Sequence, residues 1–192
     1  MMRYILVGIL VLMVLAVGLL TFQWYRDRNA AVAFGAPFEL VDQNGEPITE
    51  AAFEGNPTAI FFGFTHCPDV CPTTLFEMDG WLEQLGEDGE ELGAYFVTVD
   101  PERDTPEIMK NYLENFSSRI TGITGEPGKV MEMVKSFRIY AKKVELEDGD
   151  YTMDHTASVM LLGRDGDFFG TISYQENPET AIAKLRRLVK EG

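Results

Sequence analysis

The chain's two cysteines lie in one short segment that also contains a histidine and two prolines, His66-Cys67-Pro68-Asp69-Val70-Cys71-Pro72. Apolar residues precede this segment and a helical pattern follows it, so we predict that Cys71 caps a helix whose first residue is Pro72. Backbone N–H groups and the positive end of a helix stabilise a thiolate relative to a thiol. Because a thiolate is both a nucleophile and a metal ligand, the segment suits either disulfide exchange or metal binding.

The spacing of Cys67 and Cys71 bears on this choice, because three residues separate them where an ordinary thioredoxin motif has two. Residues four apart on a helix have Cβ atoms about 5–6 Å apart, whereas a disulfide needs about 3.5–4.5 Å. A redox-active disulfide would therefore need a distorted turn, which the two prolines favour. The wider spacing leaves room for an ion, and two thiolates select Cu(I) over magnesium, calcium or manganese. Burial of both cysteines as small apolar residues is disfavoured, because a turn with two prolines favours exposure.

A third metal ligand has to come from one of the two histidines in the sequence. His66 adjoins the first cysteine, so we expect its side chain to point away from a site that both cysteines share. His155 precedes a predicted strand, on a loop that in a thioredoxin-like fold passes beside the cysteine-bearing helix, and we predict that it is a ligand. Met153 is a weaker auxiliary candidate, and Met160 is expected in the core. A zinc site with an open fourth position is the alternative, but the sequence shows no base arranged for hydrolysis.

The elements that would position these residues follow the order strand, helix, strand, helix, helix, hairpin, helix. This order is typical of an α/β thioredoxin-like domain, in which helices cover both faces of a mixed central sheet. The apolar run over residues 58–64 lacks alternation, which indicates a central strand that is buried on both faces. We predict strands at 38–41, 58–64, 94–99, 158–162 and 168–173, and helices at 73–85, 106–116, 129–140 and 178–189. Thr105 is expected to cap the second of these helices, with Pro106 at its first position.

The N-terminal segment differs from the rest of the chain, because residues 4–22 are uncharged and almost entirely apolar. A helix of this length spans about 28 Å, close to the roughly 30 Å of a hydrocarbon core. We therefore predict a membrane anchor at 1–28 with a transmembrane helix at about 4–22, a linker at 29–37 and a domain at 38–192. The alternative is a cleaved signal peptide, but the small residues at 31–33 lie far beyond the apolar run.

The charge of the chain excludes some partners, since 16 basic and 31 acidic residues give a formal net charge of −15. Residues 29–192 contain 13 of the basic and 30 of the acidic residues, a net charge of −17. Nucleic acid is therefore not expected as a ligand, because phosphate binding needs clustered positive charge. The acidic residues concentrate at 83–91 and 145–150, which are either solvated loops or a docking surface for a basic partner.

Three segments of the sequence resemble the signature of the Sco/SenC family. They are Phe64–Pro72, Val97–Thr105 and Asp154–Ser158, and the resemblance covers about residues 35–190 with a membrane segment in front. It implies a thioredoxin fold that binds one copper ion, as Cu(I) or Cu(II), with three protein ligands. By this resemblance the ligands are Cys67, Cys71 and His155.

The same resemblance implies a metallochaperone that assists assembly of the dinuclear copper centre of cytochrome c oxidase. The implied partner is cytochrome c oxidase subunit II or another periplasmic copper chaperone. The implied location is the inner membrane, crossed once, with the soluble domain in the periplasm or, in a eukaryote, in the mitochondrial intermembrane space.

Two further activities stay open at this point. A thiol–disulfide reductase that keeps a partner's copper-ligating cysteines reduced would use Cys67 and Cys71, although residues 154–157 lack the proline that general thioredoxins have there. A peroxide-reducing enzyme would need an arginine beside its cysteine, and no motif places Arg103 or Arg138 there. In the turn-rich segment after the strand at 94–99, Asp100 and Asp104 either fix the turn through side-chain to backbone bonds, or Asp100 forms hydrogen bonds near the metal.

Overall fold

The computed structural model describes residues 13, 16–19, 21, 34–147 and 149–192. Apart from six helical residues, the predicted anchor at 1–28 lies outside the described residues, as does the linker as far as residue 33. Among the residues that the structure does describe, no helix combines the length and the apolar character needed to cross a bilayer. Phe34–Gly192 forms one compact unit.

The compact unit begins four residues before the predicted domain boundary, because Phe34 packs against aromatic side chains. Its ring lies edge-on to those of Phe137 and Phe168, with centroid distances of 5.4 and 5.8 Å. The Gly35 N–H also donates to the Ser136 carbonyl, at 3.3 Å. Residues 34–37 are thus part of the folded unit and not of a linker.

A seven-stranded mixed sheet forms the centre of this unit. The strands of the described residues are β1 (Glu39–Asp42), β2 (Pro47–Thr49), β3 (Thr58–Gly63), β4 (Gly93–Thr98), β5 (Ile120–Thr124), β6 (Ala141–Glu145), β7 (Tyr151–His155), β8 (Ser158–Leu162) and β9 (Phe168–Ser173). Their order in the sheet is β2-β1-β5-β4-β3-β8-β9, and β3 pairs in parallel with β4 and antiparallel with β8.

Four α-helices accompany the sheet, and the mixed α/β architecture agrees with the predicted fold class. Every residue of β3 is buried, as expected for a strand with side chains packed on both faces. The helices are α1 (Val70–Leu85), α2 (Pro106–Leu113), α3 (Pro127–Ser136) and α4 (Pro178–Glu191), with 3₁₀ turns at Glu50–Phe53 and Gly86–Glu90.

Helix ends follow local signals in most places. Thr105 caps α2 as predicted, since its side chain accepts a hydrogen bond from the Ile108 N–H at 3.3 Å and Pro106 follows it. The predicted extension of the next helix to residue 140 is wrong, because α3 ends at Ser136 and Arg138 has a left-handed φ of 56°. The predicted end of α2 at 116 is also too late, since the helix stops at Leu113.

A separate two-stranded ribbon, β6 paired antiparallel with β7, lies outside the central sheet. The sequence predicted only a loop here, because charged and exposed residues dominate the segment. The correction matters for the site, since His155 is the last residue of β7 and not a loop residue.

Candidate metal centre

The cysteines lie where the central strand β3 gives way to helix α1. The chain turns tightly after Phe64, whose carbonyl accepts the Cys67 N–H at 3.3 Å, and α1 then begins at Val70. Cys71 is therefore in the first helical turn, and the prediction that it caps the helix is wrong: Asp69 occupies the capping position. The Cys71 N–H donates to Cys67 Sγ at 3.4 Å, so a free N–H of the helix end stabilises the first sulfur.

The two sulfurs differ in exposure, contrary to the expectation that both are exposed. Cys67 is partly exposed, whereas Cys71 is fully buried at 0%. Room for the buried sulfur comes from Gly63 at the end of β3, because a Cβ at that position would lie 2.8 Å from Cys71 Sγ. The first cysteine is thus accessible to solvent, while the second lies in the core.

His155 reaches the cysteines from the end of β7. Its Nδ1 lies 3.0 Å from the Thr156 carbonyl, which only accepts hydrogen bonds, so Nδ1 carries the proton. The lone pair is then on Nε2, which lies 3.7 Å from Cys71 Sγ. The ring is held edge-on against Phe64, at a centroid distance of 5.7 Å. This tautomer presents the nitrogen that a metal would need.

Together the two Sγ atoms and the histidine nitrogen form a compact donor set. The three ligand atoms all lie within 4.8 Å of one another. Three ligand atoms that surround a metal in one plane, each about 2.0–2.3 Å from it, lie about 3.5–4 Å from one another. The three atoms would therefore need to move only slightly closer together to bind one ion. Cys67, Cys71 and His155, which sequence reasoning selected, are therefore brought together by the fold.

One proton is shared between the two sulfurs, and this sets their acidity. The pKa of Cys67 is lowered to about 4, chiefly by a hydrogen bond from the Cys71 thiol and also by backbone N–H groups, while burial opposes the shift. The pKa of Cys71 is raised, because its proton is held by the Cys67 thiolate and because the thiol is buried. At neutral pH the pair is one thiolate and one thiol, and a metal bound to both sulfurs displaces the remaining proton.

Other candidate residues have other surroundings. His66 is exposed, and its Nδ1 lies 3.1 Å from Thr65 Oγ1, so it does not join the donor set. Met160 is buried in the core as predicted. Met153 lines, with Cys67 and His155, an open cavity of about 170 Å³ beside the site. Met153, the predicted auxiliary candidate, thus lies beside the donor set.

Asp104 holds the chain just before Cys67 in place through hydrogen bonds to its carboxylate. It is fully buried and accepts hydrogen bonds from the Thr65 N–H at 3.1 Å, from the Thr65 hydroxyl at 2.6 Å and from the Thr98 hydroxyl at 2.6 Å. Burial raises the pKa of this carboxyl, although these hydrogen bonds oppose the shift. The carboxylate therefore joins the end of β4 to the residue that lies two positions before Cys67.

Asp100 connects the same turn to the strand that carries His155. Its carboxylate accepts the Tyr151 hydroxyl at 2.9 Å and Arg103 Nε at 2.5 Å. Of the two alternatives for Asp100 and Asp104, fixation of their turn through side-chain to backbone bonds is wrong. The turn is closed instead by the Asp100 carbonyl, which accepts the N–H groups of Arg103 and Asp104. The sequence analysis did not identify Tyr151. Its only signal is that it lies an even number of residues before His155 on an extended segment, which places both side chains on the same face.

Comparisons with known proteins agree with this geometry. A model of the SCO1/SenC family matches residues 26–190. The chain is 51% identical to ScoI of Bradyrhizobium japonicum, solved with copper bound, with a TM-score of 0.75 over 81% of this chain and 99% of that one. It is 35% identical over 147 residues to an SCO2-like protein of Rickettsia prowazekii, which covers 76% of this chain and 70% of that protein. It is 39% identical over 137 residues to the human protein SCO1 homolog, mitochondrial, which covers 70% of this chain but 46% of that protein.

Proposed function

The chain belongs to the SCO1/SenC family, and from this premise we propose that it is a copper chaperone. It binds one copper ion through Cys67 Sγ, Cys71 Sγ and His155 Nε2, and it assists assembly of the dinuclear copper centre of cytochrome c oxidase. The observation that carries the proposal is the convergence of these three atoms within 4.8 Å, although the histidine is 84 residues from Cys71. The copper bound to the similar ScoI supports it.

The donor set suits copper in both oxidation states. Two thiolates are soft ligands that favour Cu(I), and an imidazole is a ligand that both Cu(I) and Cu(II) accept. Partial exposure of Cys67 and the cavity beside it leave one side of the site open to a partner's ligand. A carrier needs this opening, because copper can then pass by exchange of ligands without release into water.

The partner and the location belong to the same proposal. The receiving protein is cytochrome c oxidase subunit II or another periplasmic copper chaperone. The apolar run at about 4–22 anchors the chain in the inner membrane, with the domain in the periplasm or in the mitochondrial intermembrane space of a eukaryote. Two observations support this assignment. The run has no charged residue, and the similar human protein is named as mitochondrial.

Copper stoichiometry of the purified full-length chain in detergent tests the proposed ligand set. We expect one Cu(I) per chain under anaerobic conditions, and loss of stoichiometric binding in Cys67→Ser, Cys71→Ser and His155→Ala. The matched control is His66→Ala, since His66 lies outside the donor set and this variant should retain one copper ion. Unchanged stoichiometry in all three ligand variants would refute the proposal.

A second function, thiol–disulfide reductase, is favoured by the acidity of Cys67 and the burial of Cys71. The Cys67 thiolate would attack a partner disulfide and release one partner thiolate. The Cys71 thiol would then give up its proton, attack the mixed disulfide at Cys67 Sγ and release the second partner thiol. Two electrons pass to the partner, and Cys67–Cys71 becomes a disulfide.

His155→Ala separates the two functions. A reductase should keep most of its activity on a disulfide substrate in this variant, whereas a copper carrier should lose copper. Cys71→Ser should accumulate the mixed disulfide with Cys67, which mass spectrometry of the intact protein detects. Absence of any mixed disulfide would remove the reductase function.

A further inference from the structure

The β6–β7 ribbon that carries His155 leaves the rest of the domain at its root and contacts it again at its far end. At the root, one more residue pair joins the two arms, since the Thr156 N–H donates to the Tyr140 carbonyl at 3.0 Å and the Thr156 hydroxyl accepts the Tyr140 N–H at 3.1 Å. Its other end lies against the turn that follows β4. Because the ribbon is not part of the central sheet, the sheet's own hydrogen bonds do not set its angle.

The attachment at the far end includes three close polar contacts with that turn, beside a longer one of 3.4 Å between Arg103 Nη1 and Asp150 Oδ1. The Tyr151 hydroxyl donates to Asp100 Oδ1 at 2.9 Å, and Arg103 Nη1 donates to the Tyr151 carbonyl at 3.0 Å. Lys143 Nζ of β6 donates to Glu102 Oε2 at 3.0 Å. The acceptor of the tyrosine bond is itself buried, since Asp100 is only 3% exposed.

The ring of Tyr151 is also held between two cations. The guanidinium carbon of Arg103 and the ammonium nitrogen of Lys143 each lie 3.7 Å from the ring centroid. Two groups cannot occupy the same position above a ring, so they lie on opposite faces. Each contact of this kind is attractive, because the ring face is negative. Tyr151 is thus fixed at its hydroxyl, at its carbonyl and on both faces.

The position of Tyr151 on β7 relates this attachment to the donor set. Tyr151 and His155 are four residues apart on a strand, so their side chains leave the same face and their Cα atoms are about 13 Å apart. A ribbon attached only at its root can rotate about that root. A second attachment about 13 Å away fixes the angle, and with it the position of the imidazole.

We propose that Tyr151 is a positioning residue, which holds the β6–β7 ribbon at the angle that keeps His155 Nε2 beside Cys71 Sγ. This inference rests on the proposed copper site. The turn after β4 then serves both halves of that site, because Asp104 holds the cysteine loop through Thr65 while Asp100 holds the histidine ribbon through Tyr151.

Tyr151→Phe tests the proposal with the least disturbance, since only the hydroxyl is lost and the ring stays between the two cations. A hydrogen bond to a charged acceptor is among the stronger ones in proteins, so we expect transfer of Cu(I) from the full-length chain to a competing chelator to become about tenfold faster. Tyr140→Phe is the matched control on the same ribbon, because Tyr140 is 52% exposed. Its transfer rate should equal that of the wild type, and circular dichroism should show that both variants are folded.

A destabilised variant away from the site distinguishes a positioning role from general weakening of the fold. Asn177→Ala removes the side-chain cap of α4, so we expect it to lower the free energy of unfolding in urea and to leave the copper transfer rate unchanged. If Asn177→Ala sped the transfer of Cu(I) as much as Tyr151→Phe does, the proposal would be overturned. An unchanged rate in the Tyr151→Phe variant would overturn it as well.

A measurement without copper makes the outcome independent of the proposed function. The sequence has two histidines, so histidine-labelled chain gives two sets of imidazole NMR signals. Tyr151→Phe should weaken the nuclear Overhauser effects between the rings of His155 and Phe64, whose centroids are 5.7 Å apart, and leave the His66 signals unchanged. If wild-type chain bound no copper, the proposed function would fail, whereas unchanged Overhauser effects would refute the positioning role itself.

Discussion

Gly63→Ala perturbs the space that the buried Cys71 sulfur occupies. Gly63 is the last residue of β3, and a Cβ there would lie 2.7 Å from the Phe96 ring and 2.8 Å from Cys71 Sγ. Ordinary contacts at a Cβ begin at about 3.4 Å, so both neighbours would have to move by about 0.6 Å or more in a close-packed interior. Added methyl groups in such places typically destabilise a protein by about 1–3 kcal/mol.

The assay is equilibrium unfolding in urea of the metal-free chain, followed by circular dichroism. We expect the free energy of unfolding to fall by about 1–3 kcal/mol. The matched control is Gly170→Ala in β9, where a Cβ would meet nothing within 4 Å. Removal of a strand glycine there should leave stability unchanged or raise it by about 0.5–1 kcal/mol.

Copper binding gives a second measurement on Gly63→Ala. Displacement of Cys71 Sγ would disturb the donor set, so Cu(I) should be lost faster to a competing chelator than from Gly170→Ala. If the two variants were equally stable and released copper equally fast, the inference that Gly63 makes room for the sulfur would be wrong.

Three further predictions follow from other residues. Asp104→Ala leaves the Thr65 N–H and hydroxyl and the buried Thr98 hydroxyl without this acceptor, and we expect a loss of about 3 kcal/mol or more in urea unfolding. The control Asp88→Ala, at an exposed site, should have almost no effect. Because the pKa of Cys67 is about 4, the rate of its alkylation by iodoacetamide should be almost independent of pH between about 8 and 5 and should fall as the pH drops through about 4. Cys71→Ala removes the hydrogen bond to Cys67 and should move this profile to higher pH. An unchanged profile in that variant would contradict the assignment. Thr105→Ala removes the side-chain cap of α2 and should lower the free energy of unfolding by about 1 kcal/mol. The control variant Thr73→Ala should leave the free energy of unfolding unchanged.

Several elements could be predicted from short stretches of sequence. The strands at 158–162 and 168–173 coincide with β8 and β9, and the predicted central strand at 58–64 differs from β3 by one residue. The Thr105-Pro106 signal gives the start of α2 without error. These successes depend on apolar runs and caps, which act within a few residues along the chain.

The missed elements lack such local signals. The strand β5 (Ile120–Thr124) contains a glycine and two threonines among five residues, and it becomes a strand through pairing with β4 and β1. The ribbon strands β6 and β7 are mostly charged or polar. They pair with each other within 15 residues, but their contacts with the turn after β4 involve segments more than 40 residues away.

By itself the sequence determined the chemistry of the site but not its geometry. Two cysteines four positions apart beside a helix start are close in any fold that forms the helix, so soft metal binding or disulfide exchange could be inferred locally. The third ligand is 84 residues from Cys71, and only the order of strands in the sheet brings His155 to it. The burial of Cys71 and the attachment of Tyr151 to Asp100 are likewise tertiary, because each depends on contacts between segments far apart in the chain.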